Sequence, residues 1–296
     1  MSYTSQQFLI SDCASSANFR LWASAISAAM ASMGWTQSSD TGQVTDPTGW
    51  STTNVPAAGS WVYQIWKPGD ALTAFYLKIE YGTGSGSPNG VRMRMSLSTA
   101  TNGSGTLTGL VSTVFEPSSA TGTTGNGNVL TYDSYFSGDV SRMGMILWRS
   151  VGSNGQPFGF FVERTKNTDG TDSSDGVTIA VLANSNSSVS SVYQQTLVFG
   201  VAAGNVPTNK SYVLIWNGTN SSGAFNNDIP ITPGFPDYGR YGNPMTVLGW
   251  VHSQDVAEAC FFTTTLYGAT RTYLATGQFN TSFPTNGQLK LCMRYD

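Results

Sequence analysis

The sequence predicts an all-β fold, a jelly-roll-like antiparallel β-sandwich led by one N-terminal α-helix. Three observations carry this reading. Apolar and polar residues alternate with a period of two over many short segments, the pattern of strands with one buried face. Dipeptides such as Asn154-Gly155, Asp169-Gly170, Asn217-Gly218 and Asn286-Gly287 separate those segments, as turns between short strands require. Only 10% of the 296 residues are charged while 12% are aromatic, against about 25% charged in an average soluble protein.

The helix is placed at residues 17–33, where Trp22, Ile26, Met30 and Met33 recur at steps of three and four and Phe19 extends the face. Ser15, Ser16 or Asn18 caps its start, and Gly34 supplies a left-handed stop. The other face, Ala23, Ser24, Ser27 and Ala31, carries no charge beyond the nearby Arg20. A helix in water would carry Lys and Glu there, so both faces are expected to be covered, by this chain or by a neighbour. Trp22, Ile26, Met30 and Met33 are therefore the candidate subunit interface.

Residues 35–60 read as turns, broken by Asp46-Pro47-Thr48-Gly49 and Val55-Pro56. Strands follow. Val62, Gln64 and Trp66 alternate with Trp61, Tyr63 and Ile65; Phe75, Leu77, Ile79 and Tyr81 with Tyr76, Lys78 and Glu80; Val91, Met93, Met95 and Leu97 with Arg92, Arg94 and Ser96. Asn89-Gly90 is a turn dipeptide between the last two. Further strands are expected at 110–115, 143–149, 158–164, 177–182, 192–199, 211–216, 245–252, 260–267, 271–275 and 288–295. The polar, Gly-rich stretches 99–109 and 118–128 read as loops and candidate interfaces. No fixed-period repeat is present, which disfavours solenoids and propellers. The expected organisation is a helix and extended arm at 1–60, a β-sandwich domain at 61–206 and a C-terminal β region at 207–296. Pro207 marks that last boundary, and the region is either a second stacked unit or part of the same sandwich.

The apolar fraction of 40% excludes a disordered chain. A net charge of −3 excludes nucleic-acid binding driven by charge. No basic segment precedes an apolar run near Met1, so no secretory signal is expected. No run approaches the roughly 18 apolar residues of a membrane span. The expectation is synthesis in a cytoplasm without membrane association, which sits oddly with an extracellular-looking composition. A particle assembled inside a cell and released by lysis reconciles the two.

Candidate chemistry is sparse, and no catalysis is expected. His252 is the one histidine. A Ser-His-Asp triad would need it, but no Gly-x-Ser-x-Gly elbow exists, and a strand-end histidine is the plainer reading. Cys13, His252, Cys260 and Cys292 lack zinc-ligand spacing, and three scattered Cys make no disulfide framework. Cys292 alternates with Lys290 and Arg294 and is expected on an exposed face. Asp169, Asp172 and Asp175, three apart in a Gly/Ser loop, form a candidate calcium site without EF-hand spacing; a solvated hairpin connection is the alternative. No other cofactor is implied. Trp50, Trp61 and Trp216 lie near turns and are candidate glycan-stacking residues, against a core or interface role. Sequons at Asn102, Asn186, Asn217, Asn220 and Asn280 follow from composition and matter only on secretion. A glycosidase would need two carboxylates flanking a sugar bond, and sequence does not pair the acids.

Two stretches carry a resemblance. Val62-Tyr-Gln-Ile-Trp-Lys-Pro-Gly-Asp70-Ala-Leu, running on to Phe75-Tyr-Leu-Lys-Ile-Glu-Tyr-Gly82, is one. Phe158-Gly-Phe-Phe-Val-Glu-Arg-Thr-Lys166, followed by Asp169-Gly-Thr-Asp172-Ser-Ser-Asp175-Gly-Val177, is the other. Both resemble a motif of tailed-bacteriophage virion structural proteins, a strand, an Asp- or Gly-marked turn and another strand. The match covers roughly a third of the chain, between Trp61 and Val181. It implies a structural component of the particle, of the tail, neck or fibre-attachment region, with no active site to carry over. The expected partners are further copies of the chain and other virion proteins. Alternatives are a receptor- or carbohydrate-binding module reading a host surface glycan, a capsid decoration protein and, last, a polysaccharide-degrading enzyme.

Overall fold

The computed structural model describes residues 4–10, 16–44, 61–83, 91–112, 114–115, 132–149, 157–167, 169–185, 189–198, 232–233, 246–252, 256, 260–266, 268–275 and 289–296. In chain order the elements are β1 (Thr4–Ile10), α1 (Ser16–Ser32), β2 (Thr36–Gln37), β3 (Trp61–Lys67), β4 (Tyr76–Thr83), β5 (Val91–Thr101) and β6 (Leu107–Val111). Then come β7 (Tyr132–Asp139), β8 (Arg142–Arg149), β9 (Pro157–Lys166), β10 (Asp172–Ser185) and β11 (Val189–Val198). The last are β12 (Thr232–Pro233), β13 (Leu248–His252), β14 (Phe261–Leu266), β15 (Ala269–Ala275) and β16 (Leu289–Arg294). The fold is all-β with antiparallel sheets and one helix, as the alternation predicts.

The strands form three sheets. A central sheet has the order β1-β7-β8-β9-β10-β11, a helix-side sheet β2-β3-β4-β5-β6, and a C-terminal sheet β12-β13-β16-β15-β14. Most neighbours in a sheet are neighbours in sequence. Within the antiparallel sandwich the described strands are therefore ordered largely as meanders.

The central sheet carries a hydrophobic core on each face. Phe160 and Val162 of β9 join Leu77, Ile79, Tyr81, Met93, Met95 and Leu97 of the helix-side sheet in one core. Phe161, between them, joins Tyr135, Ile146, Leu248, Leu274 and Met293 in a second core against the C-terminal sheet. A strand with two dry faces reads as a continuous apolar run, and Phe158–Val162 does so.

α1 is wedged between the central and helix-side sheets. Trp22, Ile26, Met30 and Met33 are 2%, 0%, 0% and 3% exposed within this chain's own core. That corrects their expected role as a subunit interface: the apolar stripe already has an intramolecular partner. The Trp22 ring meets Tyr81 edge-on at 6.2 Å, and the Ser27 hydroxyl donates to Gln64 Oε1 at 2.8 Å. Of the described helix surface, Leu21, Ala28, Ala31 and Ser32 remain exposed.

The helix ends as predicted. Trp35 N–H donates to Met30 O and Gly34 N–H to Ala31 O, a Schellman pair closed by Gly34 at φ +88°. Gly34 then packs against Gly69, where an added Cβ would sit 2.0 Å from Gly34 O, and Gly69 N–H donates to Val140 O. Helix end, β3–β4 turn and β7–β8 turn thus meet at one point.

The N-terminal segment is no separate arm. β1 pairs along its whole length with β7, and α1 shares the main core with residues of the 61–206 region. Residues 99–109, expected as a loop, are a hairpin between β5 and β6. Asp40 holds its turn, its carboxylate accepting from Gly105 N–H, the Thr101 hydroxyl and the Ser38 hydroxyl. Burial pushes the Asp40 carboxyl up, but these bonds, with the Gly103 backbone, hold it below the ordinary value. No helix among the described residues is long and apolar enough to cross a membrane.

Candidate functional site: paired ionic clamps on the central strand

β9 carries Glu163 and Arg164 side by side. Successive residues of a strand point to opposite faces, so the doubly covered sheet sends one charge into each junction. Both are buried, at 1% exposure each.

Glu163 faces the C-terminal sheet. Its Oε2 accepts from the backbone N–H groups of Thr246 (2.7 Å) and Val247 (3.1 Å). Its Oε1 accepts from the Thr246 hydroxyl (2.7 Å) and Arg142 Nη1 (3.1 Å), with Lys166 Nζ at 3.2 Å. A carboxylate has about four lone-pair sites, so this one is saturated. Arg142 lies directly opposite Glu163 in the β8–β9 register. Its guanidinium also reaches Asp139 (3.1 Å), Asp172 (3.3 Å) and the Thr246 hydroxyl (2.6 Å). Lys166 closes the ring by donating to Asp172, opposite it in the β9–β10 register. A register shift between Asp172 and Val177 brings this about by re-aiming the end of the strand.

Arg164 faces the helix-side sheet. It grips Asp70 through Nε (2.5 Å) and Nη2 (2.7 Å), and Nη2 also donates to Thr73 O (2.9 Å). The guanidinium lies 5.0 Å from the Phe75 ring centroid, close enough for a cation–π contribution. Asp70 and Arg164 belong to the two stretches that carry the family resemblance, and the fold brings them together.

Chemically, the arrangement locks. Three carboxylates (Asp139, Glu163, Asp172) and two cations (Arg142, Lys166) are committed to one another and to the backbone of Thr246–Val247. Burial pushes the Asp172 carboxyl up, yet the Lys166 charge and bond, the Ser141 hydroxyl and the Arg142 charge together hold it below the ordinary range.

The structure separates the candidate calcium ligands. Asp172 is engaged as described. Asp169 is exposed, and its carboxylate accepts from Thr171 N–H (2.9 Å) and hydroxyl (2.6 Å), bonds that hold it below the ordinary value. Asp175 lies exposed within β10. No group of three metal-ligating side chains occurs among the described residues. The Asp-Gly pair makes the turn, Gly170 having φ +84°.

Trp61 is half-buried on the outer face of the helix-side sheet, with the Arg94 guanidinium 4.1 Å over its ring. Arg94 also bonds Glu80 with two nitrogens, at 2.7 and 3.0 Å. Lys78 joins this face, 3.2 Å from Glu80 and 4.4 Å over the Tyr63 ring. Trp50 and Trp216 lie outside the described residues, as does Cys13. His252 is the last residue of β13.

Cys292 corrects an expectation: it is fully buried, not exposed. The outer face of the C-terminal sheet is itself a core, in which Cys292 packs with Val251, Val256, Phe262, Tyr273 and Ala275. Burial pushes its thiol well up, against a backbone bond from Gly249.

The sequence signal for the clamps was available: two adjacent opposite charges at the end of an apolar strand. Their partners were not, because Asp70 lies 94 residues before Arg164 and Thr246 lies 83 after Glu163.

No family model matches this chain, and no curated protein or solved structure matches it.

Proposed function

We propose that this chain is a structural component of a tailed-bacteriophage virion, in the tail, neck or fibre-attachment region, acting through permanent protein–protein interfaces and not through catalysis. The observation that supports this reading best is the paired clamp on β9. Buried charges are fixed by one another so that three sheets are held as one block, the investment of a part that bears load. The resemblance at Val62–Leu72 and Phe158–Val177 points the same way, since Asp70 and Arg164 tie those two stretches together. The partners are further copies of the chain and other virion proteins.

The test is immunogold labelling of particles released from producing cells, with quantitative peptide mass spectrometry of the purified particles. A fixed copy number per particle and label at one location are expected; label on the shell would reassign the chain to capsid decoration. A chain abundant in the lysate but absent from particles overturns the proposal.

A second reading has one observation in its favour. The Trp61, Tyr63, Lys78, Glu80 and Arg94 face combines aromatic rings with hydrogen-bonding charges, the chemistry of a glycan-binding surface. A glycan array bound by the whole chain and lost with Trp61→Ala would favour a receptor-binding module on the same particle.

A further inference from the structure

Among the described residues, both edge strands of the central sheet, β1 and β11, keep unbroken register without charge or proline, whereas the edges of the two outer sheets are not alike. In the helix-side sheet, β2 has two residues, and β6 carries Gly109 at φ +74° beside a register irregularity at Ser98/Ala100. In the C-terminal sheet, β12 has two residues and ends in Pro233. Short length, bulges and proline are the devices that blunt a sheet edge. The other edge of that sheet, β14, has none of them. Its six residues pair in unbroken register with β15, and no charged residue or proline occurs from Ala259 to Thr270.

The hydrogen-bond phase is fixed. Ala275 N–H donates to Cys260 O, and Tyr295 N–H donates to Thr272 O. Cys260, Phe262 and Thr264 therefore bond inward to β15, and alternation along an antiparallel ladder turns the N–H and C=O groups of Thr263 and Thr265 outward. Phe261, Thr263 and Thr265 are exposed, whereas Phe262 and Thr264 are buried. Phe261 is 44% exposed while its ring rests on Tyr295 at 4.9 Å and Tyr135 at 6.3 Å.

We propose that β14 is where two copies of this chain join, pairing antiparallel and edge to edge about a two-fold axis at Thr264. That axis sets Thr263 of one copy opposite Thr265 of the other, twice, with the outward N–H and C=O groups of Thr263 and Thr265 in each copy bonded. Thr264 meets its own counterpart at the non-hydrogen-bonded position. Thr–Thr pairs are favourable across strands and like charges are not. A strand that pairs with itself about a two-fold axis is best served by the neutral, threonine-centred sequence found here. The pairing deepens the structural reading above and rests on it only for the expectation of a permanent oligomer.

The test uses the full chain at micromolar concentration. Light scattering is expected to give twice the monomer mass of 31.5 kDa. The double variant Thr263→Lys/Thr265→Lys is expected to give the monomer mass with an unchanged far-UV circular dichroism spectrum. Its substitutions are on the exposed face and bring four ammonium groups into the paired ladder. In the wild type, amide exchange at Thr263 and Thr265 is expected to be as slow as at Thr264; in the variant these two become fast and Thr264 stays slow. A monomeric wild type overturns the proposal, as does an oligomer that the double variant retains. If the variant does not fold, fast amides at Thr263 and Thr265 beside a slow Thr264 in the wild type overturn it alone. A chain found in particles but monomeric in solution would sink this pairing and leave the virion reading standing.

Discussion

Toward the helix, the central sheet meets its neighbour through a broad apolar layer of Met, Phe, Trp and Tyr side chains, pinned by one bidentate Arg164–Asp70 pair. Toward the C-terminal sheet, the described apolar layer is thinner and its rim is a five-membered ionic network centred on Glu163. The first junction depends on buried area, which tolerates modest reshaping. The second depends on hydrogen-bond geometry, where losing one member strands buried donors or acceptors that it had satisfied. Two contacts between the same sheet and its neighbours should therefore fail differently.

The largest expected effect is at the polar junction. Glu163→Ala leaves the Thr246 and Val247 N–H groups without their acceptor and removes one carboxylate partner from each of Arg142 and Lys166, which keep Asp172. It should destabilise the chain by about 3–5 kcal/mol, measured by urea denaturation. Hydrogen exchange should rise first in β13 and β16. Equal acceleration in β3–β5 would show that the junctions do not fail separately.

At the apolar junction, Met145→Ala removes a fully buried side chain and should cost about 2–5 kcal/mol, at the lower end where neighbouring methionines collapse into the space. Exchange should then rise in the helix-side sheet instead.

Acid sharpens the contrast further. The folded Asp172 carboxyl lies below its unfolded value, so its contribution is present above the unfolded pKa of about 3.9 and is lost as pH falls through the folded one. Stability between pH 5 and pH 2, followed by thermal melting, should fall less in Asp172→Asn than in the wild type. A parallel decline in both would remove Asp172 from the acid response.

The smallest effect belongs to the outer face. Arg94 is 31% exposed, and Arg94→Ala should cost about 0.2–1 kcal/mol, reduced further by salt.

Much of this contrast could be read locally. The helix was legible because four large residues kept a 3.6-residue period, and it spans Ser16–Ser32 against an expected 17–33. The alternating strands β3, β4 and β5 were equally plain. β1 was not, because Thr4-Ser-Gln-Gln is polar and its strand state is imposed by pairing with β7. Nor was β7, whose Ser134, Ser137 and Gly138 dilute any apolar period. The three-layer stack was half legible, in that the unbroken Phe160-Phe161-Val162 run signals two dry faces. The Asp169, Asp172 and Asp175 spacing misled because β10 begins at Asp172, which drew that carboxylate to Lys166 and away from the other two. The clamps needed long-range contacts that no local pattern encodes.

The pairing of β1 with β7 sets a clock on synthesis. Thr4 lies opposite Gly138, so the first strand leaves the ribosome well over a hundred residues before its partner. At about 5–20 residues per second, that is a wait of roughly 6 to 25 seconds. Throughout it, Phe8, Leu9 and Ile10 have no sheet to join, and the nascent chain must stay unaggregated until the central hairpin arrives.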